Sequence, residues 1–88
     1  MLESQVEKSC CKYLKKLGYL PIKLYSIVGI PDRLIIGKNQ EVFFIEFKSE
    51  KGTLKKHQKY FRKLLRSFGF RVMIIKSLKG LRKKLCQN

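Results

Sequence analysis

GIPDRLIIGKNQEVFFIEFK, residues Gly29 to Lys48, reads as two strands and the turn that joins them. Asp32–Ile36 alternates Asp32, Leu34 and Ile36 against Arg33 and Ile35, the period of a strand. Gly37–Gln40 has turn composition, and Glu41–Lys48, with Val42, Phe43, Phe44, Ile45 and Phe47, is the most β-like text of the chain. A period of two places Val42, Phe44, Glu46 and Lys48 on one face and Phe43, Ile45 and Phe47 on the other. Glu46 and Lys48 are then about 6–7 Å apart on one side of the strand. A four-residue turn makes the two strands an antiparallel hairpin. Asp32 falls at the end of its strand that lies beside Glu46 and Lys48, so two carboxylates and one lysine are expected to converge where buried sheet is otherwise apolar.

Downstream, a loop at Ser49–Gly52 leads to a helix over Thr53–Ser67, with Thr53 a suitable N-cap. Its stripe is Leu54, Gln58, Phe61, Leu65 and Phe68, in which Gln58 alone is polar. A glutamine there serves either a local hydrogen bond to backbone or a functional site. Gly69 ends the helix. Phe70–Lys76 is a fourth strand whose unbroken apolar run suggests burial on both faces. Reached through a helix, it should run parallel to the third by a right-handed crossover. Ser77–Leu85 is a short basic helix, followed by a frayed end.

Upstream, Leu2–Leu17 is an amphipathic helix stopped at Gly18. Leu2, Val6, Cys10, Tyr13, Leu14 and Leu17 share one arc at 100° per residue. Glu3 falls inside that arc and Glu7 just beyond its edge, so either carboxylate is a candidate to point inward; favourable placement at the helix dipole is the plainer account. Tyr19–Tyr25 is a short strand entered through Pro21, an edge feature, and Ser26–Pro31 is a loop. The elements run α-β-β-β-α-β-α, an α/β (α+β mixed) arrangement of a four-stranded mixed sheet flanked by helices. A single domain over residues 1–88 is expected, with no internal repeat.

The chain has 88 residues, 44% hydrophobic and 11% aromatic, which excludes the disordered class. It carries 21 Lys and Arg against 6 Asp and Glu, a formal net charge of +15. No acid follows Glu50, whereas 13 bases lie between Lys51 and Lys84. Polyanions are the natural partners. No apolar run approaches the ~20 residues of a membrane-spanning helix, and no signal peptide opens the chain. The three cysteines, two of them adjacent, match neither a disulfide framework nor a zinc site. They read as small buried or half-buried fillers in a reducing, cytoplasmic type of compartment.

Carboxylates beside a buried sheet are costly unless cations compensate them. Lys48 supplies one charge. A hard divalent ion on Asp32 and Glu46 would supply more, because Mg²⁺ binds through one or two carboxylates, waters and substrate phosphate oxygens. Such an ion activates water and neutralises charge developing on a phosphodiester. Lys48 is then placed to orient or deprotonate the attacking water; retaining its proton, it is an electrostatic stabiliser. The competing structural account is a buried Glu46–Lys48 ion pair with Asp32 capping a turn.

Pro31-Asp32 followed after a hairpin-length gap by Glu46-Phe47-Lys48 resembles the PD-(D/E)XK nuclease signature. The surrounding text, from the Glu3 helix through GIPDRLII, VFFIEFKSEKGTL, Gln58 and GFRVMII, is similar to the VRR-NUC branch in its small stand-alone form, as found in bacteriophages. The resemblance covers nearly the whole chain. It implies a restriction-endonuclease-like core, Asp32 and Glu46 as ligands of Mg²⁺ or Mn²⁺ with the Phe47 carbonyl as a further one, and Lys48 as the catalytic lysine. It also matches Glu3, with Glu7 as its rival, to the first-helix acid and Gln58 to the glutamine of the following helix. It further implies a homodimer with a core like that of Holliday-junction resolvases, acting in the host cytoplasm if phage-encoded. No insertion reads a base sequence, so cutting selective for four-way or other branched DNA is expected over site-specific cutting. The alternative class is a non-catalytic basic nucleic-acid binder, which accounts for the charge but not for acids in sheet positions.

Overall fold

The computed structural model describes residues 1–86. Its elements are α1 (Glu3–Lys16), β1 (Leu20–Lys23), β2 (Arg33–Ile36), β3 (Val42–Phe47), α2 (Lys56–Ser67), β4 (Arg71–Ile75) and α3 (Leu78–Leu85), in the expected order. The four strands form one mixed sheet in the order β1-β2-β3-β4. The β1–β2 and β2–β3 pairs are antiparallel, and β4 runs parallel to β3. The fold is therefore α+β, as the sequence pattern required. Part of the frayed end expected beyond Leu85, residues 87–88, lies outside the described residues.

Several boundaries differ from expectation for local reasons. The hairpin loop has five residues rather than four. Asn39 and Gln40 both take left-handed backbone, with φ of 58° and 64°, and the Gly37 N–H donates to the Glu41 carbonyl at 2.8 Å, which places Glu41 in the turn. Asp32 stands one residue before β2, and β1 stops at Lys23, ahead of a loop in which Ser26 has a φ of 73°. Thr53 does not cap α2. Lys55 occupies that position, because its N–H donates to Gln58 Oε1 at 2.9 Å, the backbone-catching half of a capping box. The same device opens α1, where the Leu2 N–H donates to Gln5 Oε1 at 3.0 Å. In α3 the Ser77 hydroxyl accepts from the Gly80 N–H at 2.9 Å.

The two faces of the sheet are covered unequally. Ile35, Phe43, Ile45, Phe47, Met73 and Ile75 form a buried core with Val6, Cys10, Cys11 and Leu14 of α1 and Leu81 of α3. The buried stripe of α1 is centred nearer Cys11 than the sequence arc suggested, and the helix-end residues Leu2 and Leu17 are exposed. Cys10 and Cys11 are fillers as expected, and burial pushes the Cys10 thiol up to about 11; Cys86 departs from that expectation and is exposed. On the opposite face α2 packs over β4, with Phe61 and Leu65 half-buried and none of its residues fully buried. β4 is an edge strand, yet Val72, Met73 and Ile75 are buried because helices cover both of its faces. Over β1 and β2 no helix among the described residues covers that outer face: Leu20 and Ile22, paired with Ile36 and Leu34, are 55% and 37% exposed. No helix among the described residues is long and apolar enough to cross a membrane.

Candidate metal and catalytic centre

β2 and β3 pair in a register that sets Arg33 against Ile45; one step further, Asp32 faces Glu46. The Asp32 carboxylate closes that end of the hairpin by accepting from the Phe47 N–H at 2.7 Å. Its own carbonyl accepts from the Leu24 N–H at 3.0 Å, so Asp32 is held from both neighbouring strands. Glu46 is 3% exposed. Its Oε2 accepts from Gln58 Nε2 at 3.1 Å and lies 3.7 Å from Lys48 Nζ. Lys48 is 6% exposed, and its backbone N–H continues the β3–β4 ladder by donating to the Ile75 carbonyl at 3.0 Å. The period-two reading thus placed Glu46 and Lys48 together correctly.

Glu3 completes the group from the first turn of α1. It offers one carboxylate oxygen, as do Asp32 and Glu46, and these oxygens lie within 4.8 Å of one another. The three residues grade from exposed Glu3 through half-buried Asp32 to buried Glu46, so the cluster opens to solvent on the α1 side. Gln58 makes the local backbone bond, its carbonyl holding the Lys55 N–H, and its amide also donates to Glu46. The start of α2 and the buried carboxylate are therefore mechanically linked. The β1–β2 loop is also seated there, because Gly29 has a φ of 88° and a Cβ on it would lie 2.5 Å from the His57 carbonyl oxygen.

Glu7, one helical turn beyond Glu3, is not in the cluster. Its Oε2 receives Lys23 Nζ at 2.9 Å and Arg33 Nε at 2.8 Å, and Arg33 Nη1 also donates to the Pro21 carbonyl at 2.9 Å. Burial alone would raise the Glu7 pKa, but these two hydrogen-bonded cations outweigh it and hold the group below the ordinary carboxylate value. Glu7 and Arg33 tie α1 to the β1–β2 edge. Sequence reading left Glu7 open because its partners are 16 and 26 residues away; their only trace is two bases at strand positions, Lys23 and Arg33.

Glu46 is electrostatically unsettled. Burial is the largest cause, the Asp32 charge adds to it, and Lys48 only partly opposes them, so its pKa rises from 4.5 to about 8. Three carboxylates face one buried ammonium. Oxygen donors with a deficit of positive charge fit a hard divalent cation such as Mg²⁺ or Mn²⁺ and do not fit a soft, thiolate-seeking metal.

A solved structure described as a VRR_NUC domain matches this chain with a TM-score of 0.87 at 29% identity, covering 94% of this chain and 92% of the other. No protein-family model matches the chain, and no curated protein does. That likeness points to a protein of nuclease type. The likeness to that domain bears out the resemblance to the VRR-NUC family read from the sequence.

The raised Glu46 pKa has a consequence for stability. A carboxyl whose folded pKa exceeds its unfolded value supports the fold while protonated; that contribution is complete below about pH 4.5 and is lost as pH rises through about 8. In EDTA, the melting temperature should fall between pH 5.5 and pH 8.5. The Glu46→Gln protein, which cannot ionise there, should show a flatter profile and be the more stable of the two at the alkaline end. Parallel profiles for the two proteins would exclude Glu46 as the titrating group.

Proposed function

We propose that the chain is a metal-dependent, structure-selective DNA endonuclease, one nuclease domain over residues 1–88, that hydrolyses phosphodiester bonds in four-way or other branched DNA as a homodimer. The observation that carries the reading is the meeting of Glu3, Asp32 and Glu46 oxygens within 4.8 Å beside a buried lysine. Basic charge of +15 supplies the attraction to a polyanion. The likeness to a VRR_NUC domain supports a nuclease, and hence DNA as its substrate.

Glu3, Asp32 and Glu46 would hold one or two Mg²⁺ or Mn²⁺ ions, with the Phe47 carbonyl as a further ligand. When bound, such an ion supplies Lewis-acid polarisation of the phosphodiester and acidification of water. Asp32 is kept in place by the Phe47 N–H, which leaves its second oxygen for that purpose. Gln58 orients Glu46 by holding Oε2. Lys48, fixed by its backbone bond to β4, presents an ammonium where a water or a developing oxyanion would sit, and either orients the nucleophile or stabilises charge.

Symmetry supports the homodimer. A four-way junction requires two matched incisions, which two sites related by a twofold axis provide. The outer face over β1 and β2 presents exposed apolar side chains in a strongly basic molecule. Leu20 and Ile22 are exposed there above half-buried Leu34 and Ile36, and Asp32 and Glu46 share the sheet side of Leu34 and Phe44.

Labelled four-way junctions and linear duplexes, incubated with Mg²⁺ or with EDTA, test the activity. The parent should cut junctions in Mg²⁺ only, and Asp32→Asn, Glu46→Gln and Lys48→Ala should each lose on the order of 10²-fold or more, the loss usual for a group that stabilises transition-state charge. Gln58→Ala, which leaves the ligands intact, should lose less. DNA binding without cutting by the parent would favour the non-catalytic binder. In sedimentation experiments the parent should run as a dimer and Ile22→Lys as a monomer; a monomeric parent that still cuts both junction strands would refute the symmetric arrangement.

A further inference from the structure

On the α2–β4 side the described residues form two adjoining grooves of about 340 and 190 Å³. Their charged lining is Lys59, Arg62, Lys63, Arg66, Arg71 and Lys84, with Arg62 and Arg66 common to both. Among the described residues no acid lines either groove. The reason is in the sequence: no Asp or Glu occurs after Glu50. The Nε of Arg62 is buried without a hydrogen-bond partner among the described residues. A buried Nε is out of reach of an outside acceptor, so contact with a ligand falls to the other guanidinium N–H groups of Arg62.

One plainer account is insufficient. Cations do guard edge strands against pairing with other chains, and β4 is an edge. That role needs one or two exposed lysines, not a half-buried arginine with a sequestered Nε. The groove along α1 and β1 carries Lys8, Lys12, Lys15, Lys23 and Arg33, but there a counter-ion, Glu7, engages Lys23 and Arg33. The α2–β4 grooves instead gather cations that nothing in the described chain neutralises.

We propose that these grooves are a phosphate-backbone track, in which Arg62 and Arg66 grip phosphodiester oxygens of a DNA arm beyond the position cut at the acidic centre. This inference rests on the nuclease reading and adds to it a second contact region with a defined reach. Arginine suits it, because the planar fork donates two parallel hydrogen bonds to a phosphate. Gln58 marks the acidic centre on α2, and Arg62 and Arg66 follow it by about 6 and 12 Å along the helix axis. That reach is on the scale of a few nucleotides of one strand. Arg71 continues the track at the sheet edge, opposite Phe43 in the β3–β4 ladder and three residues from the Ile74 that faces Glu46.

Equilibrium binding of the full chain to a four-way junction in EDTA, measured over a series of salt concentrations, tests the track without requiring cleavage. The Arg62→Gln, Arg66→Gln pair should weaken binding at least ~10-fold and reduce the slope of log K against log salt by about 2, one for each phosphate that is no longer neutralised. The Lys8→Gln, Lys12→Gln pair removes equal charge from α1 and should change affinity less than ~2-fold. Arg62→Lys keeps the charge but not the fork, and should weaken affinity several-fold at an unchanged slope. Equal reductions for the two charge-matched pairs, or parental affinity in Arg62→Lys, would overturn the track in favour of a diffuse field. Failure of the nuclease reading is seen separately: a parent that binds with these slopes but does not cut in Mg²⁺ retains the track and loses the activity.

Discussion

The structure turns on a carboxylate inside a sheet. Glu46 stands at a β3 position where its neighbours Ile45 and Phe47 are core, and it is nearly as hidden as they are. An ionised group in that place is tolerated only if partners surround it, and the local architecture consists of those partners. Asp32 is fixed opposite by the Phe47 N–H, Lys48 lies two residues along, Gln58 reaches down from the start of α2, and Glu3 arrives from the start of α1. The partners are nevertheless unbalanced, with more negative than positive charge, and burial reinforced by Asp32 lifts Glu46 well above an ordinary glutamate. A site in this condition is organised to receive positive charge.

Charge is partitioned along the chain in keeping with that demand. Of the six acids, Glu3, Asp32 and Glu46 form the centre, and Glu7 secures α1 to the β1–β2 edge through Lys23 and Arg33. All six precede Lys51, so α2, β4 and α3 carry bases without internal counter-charge. The N-terminal half thus holds cation-seeking groups and the C-terminal half anion-seeking ones. They meet at Gln58, whose amide touches Glu46 while its helix carries Arg62 and Arg66. A phosphodiester lying across that junction would meet the carboxylate cluster and the arginines of α2 on contiguous surfaces.

Most of the fold was legible because its signals are local and periodic. The alternation in Val42–Phe47 fixed which side chains are core, and the hairpin-length gap fixed the β2–β3 pairing and with it the meeting of Asp32 and Glu46. The features not legible depend on contacts distant in sequence or on single capping bonds. The choice of Glu3 over Glu7 is decided by Lys23 and Arg33, neither of which is near either acid in sequence. The start of α2 moved from Thr53 to Lys55 because a glutamine side chain, rather than a hydroxyl, satisfies the exposed N–H. The uneven cover of the two sheet faces has no periodic signature, since Leu20, Ile22, Leu34 and Ile36 alternate as though both faces were packed.

The central claim is that Glu3, Asp32 and Glu46 constitute one cation site. A crystal structure of the Mn²⁺-soaked protein, with anomalous differences collected at the manganese edge, tests it most directly. The account requires an anomalous peak bounded by oxygens of those three residues, with Glu7 still on Lys23 and Arg33. A peak elsewhere, or none at a Mn²⁺ concentration that supports cleavage, would contradict it.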